Sequence, residues 1–584
     1  MYVKRHTVRR GEKRYVYLRL VEAYRDEQGR VRHRVLKTLG REDELKASGQ
    51  LEQLQGSFAR LDPPLAGIRR EVGPLLLVRH FAEALGIAAE VDRLLPQRGR
   101  HRLSAGEVVV ALIASRLASP SPLYDVAGWA SGAALQELFG IPHQLLNDDR
   151  LGRCLESLCP HAEELRGAVM LRAIERFGLD AARLHLDLTA LRVAGAYEHS
   201  ALVEKGWAAD RRVARQVRAL RATSAEGVSL YLRPGAGSAA ELAMIGQGLE
   251  RLRKLLPKGL LVVADSALGN LKPLCEADRA GVRFIAPLRA VTGFRERFLA
   301  EVGDDALRPL RYVSERERRL PPAKRTRYRG ALRPFEVADP ESGERRRWRV
   351  AYIHSSEEER EIGAARERAL AKAEAALARI ARGLGGRHYQ TKAQVERRVT
   401  RVLAPVEGLI EAQAGERAGC PTLRWRRNEE AIERAGRTDG ITALATNLPG
   451  RLSASRVLST YKRQWQVERR HRDLKQTLRV RPIFLHNDDR VEALVGVVGL
   501  ALLVFGLIEA ELRRRLGDEQ LPGLLPEGRS GRATGRSILA AFQGLGLTYT
   551  HDAIALDRLT PTQRRILELL EIQPPWPQQQ PLAA

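Results

Sequence analysis

The sequence predicts an α/β protein whose core is interrupted by an insertion and flanked by a helical region on each side. Three observations carry this. The run LLVVADS at 260–266 is apolar up to its acid, as in a strand buried on both faces. Strand and helix patterns alternate from 181 to 290, which argues a sheet with covering helices. From 73 to about 178, apolar residues recur at i, i+3 and i+4 between Gly and Pro stops, the period of amphipathic helices.

Residues 1–61 form a basic β/α segment: YVYLRLVEAYR and RVRHRVLKTLG alternate apolar and charged positions around a turn at 26–29. They predict two or three antiparallel strands with a basic exposed face, and 42–61 reads as helix. Residues 62–180 are the helical region. Its Arg-rich loop QRGRHRLS suits DNA, although helix bundles do many things and no helix-turn-helix can be assigned. The first part of the core spans 181–290, with strands RLHLDLTALRV, VSLYLRP, LLVVADS and RFIAPLR and helices near 239–256 and 270–280. Asp187 lies within the first strand and Asp265 at the carboxyl end of the buried one, where open α/β sheets place their sites.

Residues 291–450 break the alternation and read as the insertion. They hold a basic run from 315, a polar helix at 356–382, and the strand-like pieces RRWRVAYIH, RRVTRVLAPVEG and ITALATN. The core resumes at 451–515, and 516–584 is a C-terminal helical region whose tail PPWPQQQPLAA has a disordered composition.

The resumed core opens with one predicted helix at 452–478, capped by Ser453 or Ser455 and free of Pro and Gly. Tyr461, Gln464, Glu468, Arg472 and Lys475 follow one another along it, and at about 100° per residue they fall within about 80° of one another. One carboxylate thus shares a face with cations, an aromatic and an amide. A basic surface helix with i,i+4 pairs is the plainer alternative. The apolar run 493–510 is long enough to tempt a membrane assignment. Its Gly496, Gly499 and Gly506, and charged flanks, suit a buried core helix at least as well.

Lys and Arg number 98 against 71 Asp and Glu, a formal net charge of +27. This favours an anionic partner, a phosphate polymer above all. Four cysteines in 584 residues make no disulfide framework and fit a reducing cytoplasm. Cys154 and Cys159 with His161 lack the second pair of a zinc site and read as helix thiols. The charged start MYVKRHTVRR has no apolar signal segment, and no GxxxxGK[ST] loop points to ATP.

Gathering like charges on a buried sheet needs a reason, because two close carboxylates repel unless a cation neutralises them. Mg²⁺ accepts carboxylate, phosphate and water oxygens. Asp187 and Asp265 with Glu468 can hold two such ions about 3.5–4 Å apart, one activating the attacking oxygen and one stabilising the leaving oxygen. For any single Asp, an N-cap or an ion pair is the alternative.

LHLDLT, LLVVADS and the run from Thr446–Asn447 through Tyr461 and Glu468 to Lys475 resemble insertion-sequence transposases of the Asp-Asp-Glu class, in the insertion-sequence-four-like group. That group's helix signature is Tyr, two residues, Arg, three residues, Glu, six residues, Lys. Tyr461, Glu468 and Lys475 match it, and Gln464 stands at the Arg position, for which Arg463 or Arg472 can substitute. GPLLLVRHFAEALGI, TDGITALATN and RPIFLHNDDRVEALVGVVGLALL extend the likeness over most of the chain. The resemblance implies a ribonuclease-H-like core, a mostly β insertion and an N-terminal DNA-binding part. It implies Mg²⁺-dependent cutting of double-stranded DNA at an element's terminal inverted repeats and strand transfer into target DNA, with Mn²⁺ as a substitute ion. It also implies a homodimer on DNA, a bacterial nucleoid setting and no membrane. By carry-over, Asp187, Asp265 and Glu468 bind the metals, while Tyr461, Lys475 and, around the variant position, Gln464 and Arg472 meet the DNA backbone. An aromatic of the insertion stacks on a flipped base in such enzymes, which makes Trp348 and Trp425 candidates beside their plainer reading as core aromatics. A DNA-binding protein without chemistry, or a metal-dependent nuclease without strand transfer, would carry the same features.

Overall fold

The computed structural model describes the chain except residues 1, 11–12, 26–30, 48–67, 97–101, 196, 208–212, 240, 257–259, 265–268, 315–316, 319, 418, 463–484, 486, 550–553 and 579–584. Strands β1 (Tyr2–Arg10), β2 (Lys13–Arg25) and β3 (Val31–Arg41) form the expected antiparallel N-terminal sheet. The helix Glu42–Ala47 follows, its acidic first turn complementing the helix dipole. The rest of the helix predicted to 61 lies outside the described residues.

After β4 (Arg69–Glu71) come the predicted helices, among them Leu75–Ala84, Ile87–Leu94, Ala105–Ala118, Asp148–Leu158 and Ala162–Phe177. Their limits are written in the sequence. Ser104 and Glu107 make a reciprocal capping box, Asn147 caps the fourth of these helices, and Gly178 ends the last in the left-handed region. Gly106 is required by contact: a Cβ there would sit 2.2 Å from the Ala88 carbonyl oxygen.

The core strands are β5 (Arg183–Arg192), β6 (Glu204–Trp207), β7 (Val213–Thr223), β8 (Ser229–Gly235), β9 (Leu261–Ala264), β10 (Arg283–Pro287), β11 (Arg308–Pro309), β12 (Tyr328–Ala338) and β13 (Arg345–Ser355). Beyond the hairpin of β14 (Ile410–Arg417) and β15 (Cys420–Arg427), β16 (Ile441–Thr446) returns to them. Among the described residues the sheet has ten strands in the order β11-β12-β13-β16-β10-β9-β5-β7-β6, with β8 also on β7. β5, β9 and β10 run parallel, and the other pairs are antiparallel. β7 is a strand that composition disguises, because VARQVRALRAT carries three arginines and a glutamine.

Residues 291–450 are not mostly β. They hold helices Ser356–Arg382, Lys392–Leu403 and Glu429–Gly436, of 27, 12 and 8 residues, while β12, β13 and β16 belong to the main sheet. The strand-like reading of 397–408 fails for a local reason. Thr391 and Gln394 form a capping box, and Val395 and Val399 bury at helical spacing against Leu370, Leu377 and Ile380. β-branched residues there serve a helix face.

The helix predicted at 452–478 is described as Ala454–Tyr461, with Ser453 as the cap that accepts from the Arg456 amide. Residues 463–484 lie outside the described residues. The helix Asp488–Leu516 then runs through the centre: 94% of its most apolar window is buried, packed on β8 and on helices of the N-terminal region. It is a core helix. Finally β17 (Gly546–Tyr549) pairs with β18 (Ile554–Leu556) and with β4, joining the two ends of the helical envelope.

Candidate active site

The register of two parallel strands sets the site. Arg183, Leu184, His185 and Leu186 of β5 pair with Leu261, Val262, Val263 and Ala264 of β9. These are the pairs among the described residues, and β5 continues to Arg192 in register with β7. Asp187 directly follows Leu186, in the last of the described pairs. Asp265 follows Ala264 in the chain and lies outside the described residues.

Alternation assigns the faces. Leu184 and Leu186 enter the large core, and Leu188 packs against it. His185 and Asp187 point the other way, on the face shared with Val263 and Ile285. Val263 and Ile285 lie beneath Ala454, Val457 and Leu458 of the helix Ala454–Tyr461, with Tyr461 partly buried at the margin of that cluster. The next residue, Lys462, reaches Glu358 at 3.4 Å and stands 5.7 Å over the Tyr328 ring. Burial pushes the Tyr328 hydroxyl up to about 12, so the ring stays neutral beneath the cation.

On its other side, Asp187 is paired in register with Arg221 of β7, and Arg221 with Leu232 of β8. Arg221 is 0% exposed and Asp187 is half-buried. Gly499 of the helix Asp488–Leu516 comes close enough that a Cβ there would lie 2.9 Å from the Leu232 Cβ. Two helices therefore cover the two flanks of this face, and the chain between them is 462–487. That chain carries Gln464, Glu468, Arg472 and Lys475, all outside the described residues, so Asp187 and Tyr461 are the predicted site residues the structure places.

Both ends of the linking chain are fastened. Asp488 accepts from the amides of Ala201 at 2.9 Å and Leu202 at 3.1 Å and from the Ser200 hydroxyl. Arg490 pairs with Glu156 at 2.8 Å. At the other end, Asn447 is a bracket whose role the sequence does not announce. Its amide donates to Asp278 at 2.7 Å and to the Val282 carbonyl at 2.9 Å, while its oxygen accepts from the Phe284 amide at 2.9 Å. It locks the end of β16 against β10 and so aims the helix that follows.

Trp348 is a core aromatic: it is 3% exposed, donates to Asp278 at 3.0 Å and meets Phe284 edge-on. Trp425 packs on the small core of the β14–β15 lobe. Cys154 and Cys159 face different partners, the Ala105 carbonyl and Asp489, and form no metal cluster with His161. Among the described residues no three His, Cys, Asp or Glu side chains group as a metal site. A concavity of about 320 Å³ lined by Arg183, Arg283, Arg451 and Arg456 lies at the amino ends of β5, β9 and β10, away from Asp187.

The model of the transposase DDE domain matches residues 183–504, more than half of the chain. The chain belongs to the DDE transposases. The model described as the IS1634 family transposase N-terminal domain matches 3–62 of this transposase and places it in that family, and a domain of unknown function (DUF4277) matches 69–165. No curated protein matches the chain. The transposase is thus an enzyme whose partner is DNA, in accord with its net charge of +27.

Proposed function

We propose that the transposase cuts the ends of a mobile element and joins them to target DNA at a site made by Asp187, Asp265 and Glu468. The observation that carries this is the pairing of Leu186 with Ala264, since each is followed directly by one of the acids. Adjacent strands lie about 4.8 Å apart and consecutive Cα atoms about 3.8 Å apart, which supports a shared ion site for the two acids. Glu468 belongs to the chain that joins the two helices flanking that face. The sheet order, with parallel β5, β9 and β10 at its centre, supports a ribonuclease-H-like core, and the lobe built on the helix Ser356–Arg382 supports an inserted subdomain.

Three carboxylates are hard oxygen donors that suit Mg²⁺, with Mn²⁺ in its place. Asp187, Asp265 and Glu468 would hold it, and when bound it supplies a polarised phosphate and charge neutralisation at the attacking and leaving oxygens. Tyr461 and Lys475, with Arg463 or Arg472 beside Gln464, hold the DNA backbone in line. In the first step water attacks the phosphodiester at the element's end and releases a 3′-hydroxyl. In the second that hydroxyl attacks a target phosphodiester, forms a new P–O bond and releases the target's 3′-oxygen. Two ends are brought together by a homodimer on paired inverted repeats, and the helical region 62–180 holds duplex DNA in the bacterial nucleoid.

The test is Asp187→Asn and Glu468→Gln on a duplex carrying the element's end. Mg²⁺-dependent cleavage is expected to fall below detection with DNA affinity within about twofold of wild type. Wild-type cutting by either variant overturns the assignment, and cutting by the native chain without joined products replaces it with a nuclease.

A further inference from the structure

The lobe built on the helix Ser356–Arg382 carries a second cationic concavity, and Asp187 is not in its lining. Arg387, Arg397, Arg398 and Arg401 surround it with His388, Tyr389 and Gln394, and its volume is about 470 Å³. All four arginines are exposed. Three other arginines of this lobe are neutralised: Arg366 pairs with Asp439, Arg426 with Glu411, and Arg427 with Glu367 and Glu374. None of the four around the concavity has a carboxylate within ion-pair distance among the described residues, and Glu396, the acid of their own helix, is turned to Lys392.

The scaffold is firm. Gln394 closes the capping box with Thr391 and also accepts from the Gln390 amide at 2.8 Å. Gly385, at φ +81°, lets the loop fold back so that its amide donates to the Tyr389 carbonyl at 3.0 Å. On the helix Lys392–Leu403, Gln394, Arg397, Arg398 and Arg401 fall within an arc of about 100°, away from the buried Val395 and Val399. Four guanidiniums held this close without counter-charge repel one another, and a row of phosphates relieves that repulsion with bidentate hydrogen bonds.

We propose that this concavity is a duplex-DNA clamp, gripping the phosphate backbone of the element's end at a distance from the cut. It rests on the DNA-transposase reading and adds a site to it. The distance follows from the helix Ser356–Arg382. It starts where β13 ends on the sheet, and its 27 residues reach the concavity at their far end. At 1.5 Å per residue that is about 40 Å, and at 3.4 Å per base pair it spans roughly 12 base pairs.

The experiment measures binding of two duplexes from the element's end, running about 8 and about 30 base pairs inward from the cut, across a salt series. The proteins are native, Arg397→Ala/Arg401→Ala, Arg426→Ala and Asp187→Asn. Each lost phosphate contact lowers the salt slope by about 0.9, so the double variant is expected to lose about 1.8 in slope and roughly 30-fold in affinity at 0.15 M salt, on the longer duplex only. Arg426→Ala, which removes a cation already paired, is expected to keep the slope. An unchanged slope in the double variant, an equal loss on both duplexes, or an equal loss in Arg426→Ala overturns the clamp. Asp187→Asn separates the two readings: its cleavage reports on the acids, and its slope stays native whether or not the clamp exists.

Discussion

Asp187 and Arg221 are directly opposed across β5 and β7, and their coupling can be worked out. Cross-strand partners bring Cβ atoms to about 4.5–5.5 Å. For charges about 5 Å apart at an effective dielectric near 20, attraction is about 3 kcal/mol. Asp187 is half-buried while Arg221 is sealed from solvent, so partial screening leaves about 1.5–3 kcal/mol. Removing one partner strands the other. Asp187→Asn leaves a buried guanidinium facing a neutral amide, and Arg221→Met leaves a carboxylate over an apolar stem. The double variant replaces the pair as a unit and is expected to cost less than the sum of the singles by about 2 kcal/mol. Hydrogen exchange of the β5 and β7 amides, without divalent cation, is the suitable assay, since a chain of 584 residues need not unfold in one step. The coupling would appear as a roughly 30-fold difference in opening between the observed double variant and the additive expectation. Additivity within about 0.3 kcal/mol would refute the reasoning.

Two further outcomes follow from buried groups. Glu509 is 1% exposed within an apolar helix, accepts from the Gly535 amide at 2.7 Å and pairs with Arg513 at 2.8 Å. Glu509→Ala is expected to cost about 2–4 kcal/mol and to free the amides of 534–541 for exchange, while Glu509→Gln, which keeps an acceptor for Gly535, costs about half as much; equal costs would deny the capping role. Burial pushes the Cys154 and Cys159 thiols up to about 12 and Cys275 to about 11, whereas Cys420 is exposed. Thiolate is the reactive form and falls tenfold per pH unit below the pKa. Native protein at pH 8 should therefore take up one iodoacetamide, at Cys420, and four after denaturation, with mass spectrometry of the labelled peptides as the check.

What was legible in the sequence is what local pattern encodes. LLVVADS could be read as a strand because both faces are apolar, and 493–510 as a core helix because glycines sit where β8 approaches. β7 was not legible: Arg215, Arg218, Arg221 and Gln216 imitate a polar surface segment, and only the sheet shows that Arg221 is wrapped by its neighbours and paired with Asp187. The strand-like 397–408 misled for the converse reason, since Val395 and Val399 find their core at helical spacing. Asn447 stood in the run that carries the family resemblance, but its bracketing role was not legible because its three bonds reach residues more than 160 positions away.

The same distinction bears on Asp187, in the middle of a strand. β5 pairs with β9 through Leu186 and Ala264, and β9 with β10 through Val263 and Ile285. On its other edge β5 faces β7, which sets Arg221 against Asp187. The carboxyl ends of parallel strands are where open sheets admit ligands. Asp187 matters because the register of β5 on β9 and β7 puts it one residue beyond the Leu186–Ala264 pair and opposite Arg221. Register, unlike the acid itself, is a property of the pair of strands that no single stretch of sequence contains.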